Sequence, residues 1–489
     1  MHLIHTHSID IRCSTREFGN ELQQQLGYLL EKEFYPKLEQ LFEIYERQNY
    51  TWNIDLLELN LPNISKMNWK SEIVNQSLFQ IEEFLKNNRP YVQTIPDDNN
   101  ITSGIFISDA DYVSQLFFDF LKSGILVENS ISNKLQNLLN EIEINPDFIK
   151  RLIENFEINP VLLIRWVFSV PDDFKEKVLN YISDFPVHIS RIFEKMIKNS
   201  SALPYEIDLL YNQFINKSLM TSQWYELLQW IIYLYPKVTY KNELIDGFIT
   251  LSEKYFYILP KDLNSLTQVI HSSRQIDKSE VPLVFGQFFQ ELKERISDDT
   301  NKFDNGKLTE DNFQNEFIEK SKDIYFITNS GLVIFHPFLE KLFEQLDLFK
   351  NDSLTKPDSQ HKAILLTQYL ITGKEEFYEN ELILNKILCG LPVESEVNTK
   401  LKITENEKEK CRSLIEAVLE HWKTMSGSSF EALRETFLQR EGKLDLSSPY
   451  SYELWVEEHG VDILLAQLPW GIGMIKTPWM ENYLTVNWN

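Results

Sequence analysis

The amino-acid sequence predicts a mainly α-helical protein with a small N-terminal βαβ unit, a multi-helical, solenoid-like middle and a C-terminal α+β domain. Three observations carry this. Apolar residues recur at helical spacing through most of the chain. Prolines break residues 131–296 into short segments. Alternating, β-like runs are confined to the two ends. The expected divisions are 1–66, an N-terminal strand-helix-strand unit; 67–130, a helical connector; 131–314, a variable multi-helical region; and 315–489, a C-terminal domain closed by a Pro-Trp strap.

The first strand is expected at His2 to Arg12, where Ile4, Ile9 and Ile11 are the apolar positions. Ser14 or Thr15 is placed to cap a helix running to about Arg47. Leu22, Leu26, Leu29, Leu30 and Phe34 lie on one face of it, and Pro36 is expected to bend or interrupt it. Trp52, Ile54 and Leu56 to Leu61 read as a second strand, ended by Pro62. A helix follows over Asn68 to Asn88, then a polar linker to Thr102, then a helix from Asp109 to Gly124.

The prolines at Pro146, Pro160, Pro171 and Pro186 are 14, 11 and 15 residues apart, and Pro204, Pro236, Pro260 and Pro282 continue the punctuation. Proline is tolerated in the first turn of a helix and several of these fall where a helix could begin, so the segment reads as stacked short helices. Ser297 to Gln314 is acidic and polar and reads as a linker.

In the last domain, Ile324 to Ile327 and Val333 to Phe335 are apolar runs flanking the turn Asn329-Ser330-Gly331. Helices are expected at Pro337 to Phe349, His361 to Thr372, Glu379 to Cys389, Glu405 to Met425 and Ser429 to Leu438, with Gly373 and Gly390 as stops. Lys443 to Leu446, Tyr452 to Glu457 and Thr485 to Trp488 are expected to form a small sheet that receives the strap.

The strap, LPWGIGMIKTPWMENYLTVNW, spans Leu468 to Trp488 and holds three of the ten tryptophans. Pro469-Trp470 and Pro478-Trp479 flank Gly471-Ile472-Gly473. Proline restricts itself and its predecessor, and glycine permits close approach, so the segment is ordered and non-helical. Its large rings need a surface to cover. That surface is either the domain's own core or a partner chain.

LPWGIGMIKTPWM resembles the closing motif of the contractile injection system tape measure family. NSGLVIFHPFLEKLFEQLDLF (Asn329 to Phe349), AILLTQYLITG (Ala363 to Gly373), NELILNKILCGLP (Asn380 to Pro392) and EAVLEHWKTMSGSSFEALRETFLQREGKL (Glu416 to Leu444) match further motifs in the family's order. Together they cover most of Asn329 to Trp488, and the opening of the chain also looks like the family's opening. The resemblance implies a structural protein of a phage-tail-like particle that sets the length of an injection tube. Its implied partners are the inner tube, hub or baseplate and tube-terminating proteins, with self-association also open. It further implies that Trp470, Gly471, Gly473, Pro478 and Trp479, with His336, Pro337, Leu391 and Pro392, shape a partner-docking terminal domain. A folded assembly factor for tube or baseplate subunits is the competing expectation, because the proline-punctuated middle reads as compact.

Composition narrows the rest. With 489 residues, 43% hydrophobic and 13% aromatic, the chain can bury sizeable cores. Its 48 basic and 73 acidic side chains leave a net charge of -25, which disfavours nucleic acid and anionic membrane as partners. Cys13, Cys389 and Cys411 are too scattered for a disulfide framework, which points to a reducing cytoplasm during assembly. No secretory signal or membrane span is expected. His2, His5 and His7 alternate in part but have no second ligand cluster, so they read as surface or partner contacts. His336, His421 and His459 lie near acids but read as structural, and Cys389 reads as core. Gly471-Ile472-Gly473 lacks a phosphate-loop lysine, and the acids lack EF-hand spacing. No catalytic residue, cofactor or metal is expected.

Overall fold

A computed structural model describes residues 4, 7, 9–13, 15–46, 50–52, 54, 57–88, 106–126, 135–185, 219–272, 283–299, 324–350, 353–354, 358–448 and 451–488. The chain is mainly helical and carries a small C-terminal sheet, as expected. It forms two compact units, Met1–Gln115 and Leu116–Asn489.

In the first unit, Thr15 caps a helix over Arg16–Leu29, its hydroxyl accepting from the Phe18 amide. The helix does not break at Pro36. It widens into a π turn over Leu30–Phe34 and resumes as Tyr35–Tyr45. Proline has no N–H to give to the preceding turn, and one wider turn absorbs that loss. This pair packs on the helix Trp69–Asn87 around Leu22, Leu29, Phe34, Leu38, Trp69, Val74 and Ile81. Strand β1 (Tyr50–Trp52) lies antiparallel to β2 (Phe106–Ser108), with Trp52 opposite Phe106. Of the strand expected at His2 to Arg12, residues 9–12 are irregular, and His2, His5 and residues 3, 6 and 8 lie outside the described residues. Among the described residues β1 pairs with β2, which lies beyond the expected linker. An edge strand takes whichever extended segment the fold brings to it, and sequence alternation does not name that segment.

The second unit begins with the end of the helix Asp109–Ser123. Helices follow at Leu135–Glu141, Pro146–Ile158, Leu162–Ser169, Asp172–Tyr181, Leu219–Leu234, Lys241–Phe256, Pro260–Ser272 and Leu283–Asp299. Pro146 and Pro260 occupy first turns, as expected, and Asn145 caps the Pro146 helix. The array packs around aromatic rings. Trp166 lies edge-on to Trp230 at 5.3 Å, and Phe156 lies edge-on to Trp230 at 5.2 Å.

The C-terminal α+β domain opens with β3 (Ile324–Ile327). The apolar run after it is a fully buried 3-10 helix, Ser330–Phe335. The helices His336–Gln345, Ser359–Thr372, Ile383–Leu388 and Glu405–His421 follow, the last with a Thr404/Glu407 capping box. Between the first two lies a minimal hairpin of β4 (Phe349–Lys350) and β5 (Ser353–Leu354). Ser429 caps the short helix Phe430–Leu433, which runs into a π turn. Strands β6 (Gly442–Asp445), β7 (Ser451–Val456), β8 (Met474–Ile475) and β9 (Tyr483–Asn487) complete a five-stranded sheet of order β3-β6-β7-β9-β8. Only β7 and β9 in it are parallel. Tyr325, Leu444, Leu454 and Val486 line up across its inner face and meet the helices.

Candidate functional site

Two constructions in the C-terminal domain set how it can meet other chains: the strap, and a polar seam against the helical middle.

The strap is pinned at three tryptophans. The Trp470 indole N–H donates to the Ile334 carbonyl at 3.0 Å, and its ring lies edge-on to Phe338 at 4.8 Å. The Gly473 carbonyl accepts from the Val486 amide at 2.9 Å, which leads the chain into β8. Thr477 Oγ1 donates to the Leu388 carbonyl at 3.0 Å, and the Trp479 indole N–H donates to the same oxygen. That carbonyl ends the helix Ile383–Leu388, so the strap supplies donors that the helix end lacks. The Trp479 ring stacks on Phe349 at 4.4 Å. Gly390 turns the chain beneath it with φ +68°, and a Cβ there would overlap the Trp479 carbonyl. Trp488 is buried and donates to Asp462 Oδ2 at 3.1 Å.

The residues expected to dock a partner therefore divide. Trp470, Trp479, His336 and Leu391 are half-buried. Pro337, Pro392, Gly471, Gly473 and Pro478 are exposed. Trp470 is anchored beside the His336-Pro337 turn, through Ile334 and Phe338. Trp479 is anchored against Gly390, next to Leu391 and Pro392. His336 Nδ1 lies 2.8 Å from the Val333 carbonyl, and burial pushes its pKa down.

The seam joins the helix Leu162–Ser169 to the domain and was not foreseen. Arg165, Glu379 and Lys386 are all essentially without solvent contact. Glu379 accepts from Arg165 Nε at 3.2 Å, from Ser169 Oγ at 2.5 Å and from Lys386 Nζ at 2.9 Å. Arg165 Nη1 donates to the Leu121 and Lys122 carbonyls at 2.6 and 2.9 Å, capping the end of the helix Asp109–Ser123. Gly124, at φ +74°, makes room for the cluster, since a Cβ would come within 2.5 Å of Glu379 Oε1. Burial pushes the Glu379 carboxyl up, but Arg165 and Lys386 outweigh it and hold the group below its ordinary value. Burial pushes the Lys386 amine down.

The segment Val393 to Lys400 threads the seam. Its Val393 and Val397 carbonyls accept from Lys386 Nζ at 2.8 Å and Ser169 Oγ at 3.0 Å. Asn398 and Gln223 exchange side-chain amide hydrogen bonds at 3.0 and 2.9 Å. The signal for this seam was present. Arg165 is the lone charge in VLLIRWVFSV, and Lys386 sits in the apolar run LILNKILCG. A cation in such a run needs a buried counter-charge, but sequence alone does not say which.

Other chemistry-bearing residues are accounted for locally. His7 Nδ1 lies 3.0 Å from the Tyr35 hydroxyl. His421 Nδ1 meets the Ala417 carbonyl at 2.7 Å, and His459 pairs with Glu457 at 3.4 Å on the surface. Cys389 is buried, which pushes its thiol far above the ordinary range. Among the described residues no helix is long and apolar enough to cross a membrane.

Searches of curated proteins and of solved structures found no match. Comparison with protein families matches residues 1–488 to the family described as contractile injection system tape measure protein. The match takes in the N-terminal unit, the helical middle and the strap alike, and the chain belongs to the contractile injection system tape measure protein family.

Proposed function

We propose that this chain sets the length of its particle's inner tube during assembly, held at one end through the C-terminal α+β domain by a baseplate, hub or cap protein. A protein of this family is a structural component of a phage-tail-like particle and associates with its tube and other components. The observation that carries the reading is the extent of the match, residues 1–488, which takes in all but the last residue of the chain. The anchoring face we favour is the exposed surface of the strap and its neighbours, Pro337, Pro392, Gly471 and Pro478, beside the half-buried Trp470 and Trp479 that pin the strap. A helical chain of 489 residues would span about 730 Å at roughly 1.5 Å per residue.

One observation favours a second reading. The helical middle is packed around Trp166 and Trp230, not extended. A folded assembly factor that holds tube or baseplate subunits fits that compactness. Tube lengths by negative-stain microscopy separate the two. Deleting about 40 residues between Ile131 and Ile296 shortens the tube by up to about 60 Å if the chain is a ruler, and duplication lengthens it equally. An assembly factor gives lower particle yield or scattered lengths. Sharp, unchanged lengths across the series refute the ruler.

A further inference from the structure

We propose that the polar seam is a latch, closed in the free chain and parted when the chain is taken up along a tube, so that the helical middle separates from the C-terminal domain without either first losing its core. The inference rests on the ruler reading above.

The two sides have separate apolar cores. Among the described residues, the buried members of the C-terminal core run from Tyr325 to Trp488, with none from the helices between Leu135 and Asp299. The rings of the middle pack on one another, Trp166 on Trp230 and Trp224 near Phe248. What joins the sides is chiefly hydrogen bonds and charge. Thr399 reaches the Phe168 carbonyl with both its amide, at 3.2 Å, and its hydroxyl, at 2.9 Å. Glu396 accepts from the Tyr255 hydroxyl at 2.8 Å and lies 3.9 Å from Arg165. Lys400 pairs with Asp172 at the rim. The central charges Arg165, Lys386, Glu379 and Glu396 cancel, two positive against two negative.

This chemistry makes a parting line. Breaking an apolar core exposes surface that water opposes. Breaking the seam exchanges protein hydrogen bonds for water, at a small net change per bond. It also returns buried ions to water, which recovers the hydration that burial removed. The opened faces carry Arg165, Lys386, Glu379 and Gln223, so both sides stay compatible with solvent. The closed state is still specific, because removing any one charge strands its partner.

Hydrogen exchange on the wild-type chain gives the first test. The amide of Thr399 is held across the seam by the Phe168 carbonyl. It should exchange at least ~100-fold faster than core amides of Glu405–His421 and Leu219–Leu234, which need wider unfolding. Equal protection would mean that the seam opens only with the whole unit and would overturn the latch. The second test uses Cys13→Ser with Asp172→Cys and Lys400→Cys, the pair at the accessible rim of the seam, joined by a short bismaleimide. The free chain should cross-link in high yield, and chain inside assembled particles at least ~10-fold less. Chain locked before assembly should not support tubes, whereas chain capped with a monofunctional maleimide should. Equal cross-linking inside particles overturns the latch while leaving the ruler reading to the deletion series, so the two fail separately.

Discussion

At the seam, buried Glu379 is surrounded by Arg165, Ser169 and Lys386, whereas at the strap Trp479 lies on Phe349 and donates to a helix-end carbonyl. Both hold parts of the C-terminal domain in place. The strap does so with apolar area plus one indole hydrogen bond per ring, and that combination resists water directly. The seam does so with charges whose attraction is largely offset by lost hydration. Its contribution to stability is therefore small when intact and large and negative when one partner is missing. A ring gives stability roughly in proportion to what is removed. An ion cluster gives register, and punishes partial change.

The largest expected effect breaks the seam at one atom set. Glu379→Ala should lower unfolding free energy by about 3–5 kcal/mol, since it leaves Lys386 buried without its ion-pair partner and Arg165 with Glu396 alone. Urea melts check it. Replacing all three together, Arg165→Met with Glu379→Leu and Lys386→Met, should return stability to within about 1 kcal/mol of wild type. A triple variant as unstable as Glu379→Ala would show that the cluster is a net source of stability and erase the contrast with the strap.

Next is the strap's support. Gly390→Ala forces a side chain into a left-handed turn and against the Trp479 carbonyl, for a loss of about 2–4 kcal/mol. Trp479→Ala, at a half-buried ring, should lose about 2–3 kcal/mol. Thermal melts paired with particle counts sharpen this: a variant that melts normally but gives no particles assigns the ring to a partner, not to the core.

The smallest effect is pH-dependent and should divide the two regions. Glu379 and Asp172 are both held below their ordinary values in the folded chain. Burial opposes this in each. It is outweighed by Arg165 and Lys386 at Glu379, and by Lys175 and Lys400 at Asp172. The stability they contribute is present above the unfolded carboxylate value of about 4.5 for Glu379 and is lost as pH falls through the folded value. Between about pH 6 and pH 3 the wild type should therefore lose stability faster than the triple apolar variant, while Trp479→Ala should run parallel to wild type. Parallel curves for all three would remove Glu379 from the acid response.

Much of the fold was legible because local signals and tertiary structure agree. Ser429 and Thr15 cap the helices they precede, and Gly124, Gly373 and Gly390 end theirs with positive φ. Other features were not. Pro36 reads as a bend or an interruption, and a π turn carries the helix through it. Val333 to Phe335 reads only as an apolar run, yet it belongs to a fully buried 3-10 helix, Ser330–Phe335. The candidate docking residues were named from motif likeness, and the structure sorts them by exposure, which motif likeness does not encode.

The sequence by itself determined the helical class, the proline-started helices of the middle, the small C-terminal sheet and the ordered, aromatic character of the strap. Each follows from interactions within a few residues: a cap, a turn, a period of 3.6 or 2. Only the tertiary structure decided that β1 pairs with β2, that Trp479 covers the end of the helix Ile383–Leu388, and that Arg165 meets Glu379 across 214 positions of chain. A lone arginine in an apolar run announces that a carboxylate must be found. Which carboxylate answers depends on the packing of helices distant in sequence, and no local pattern carries that information.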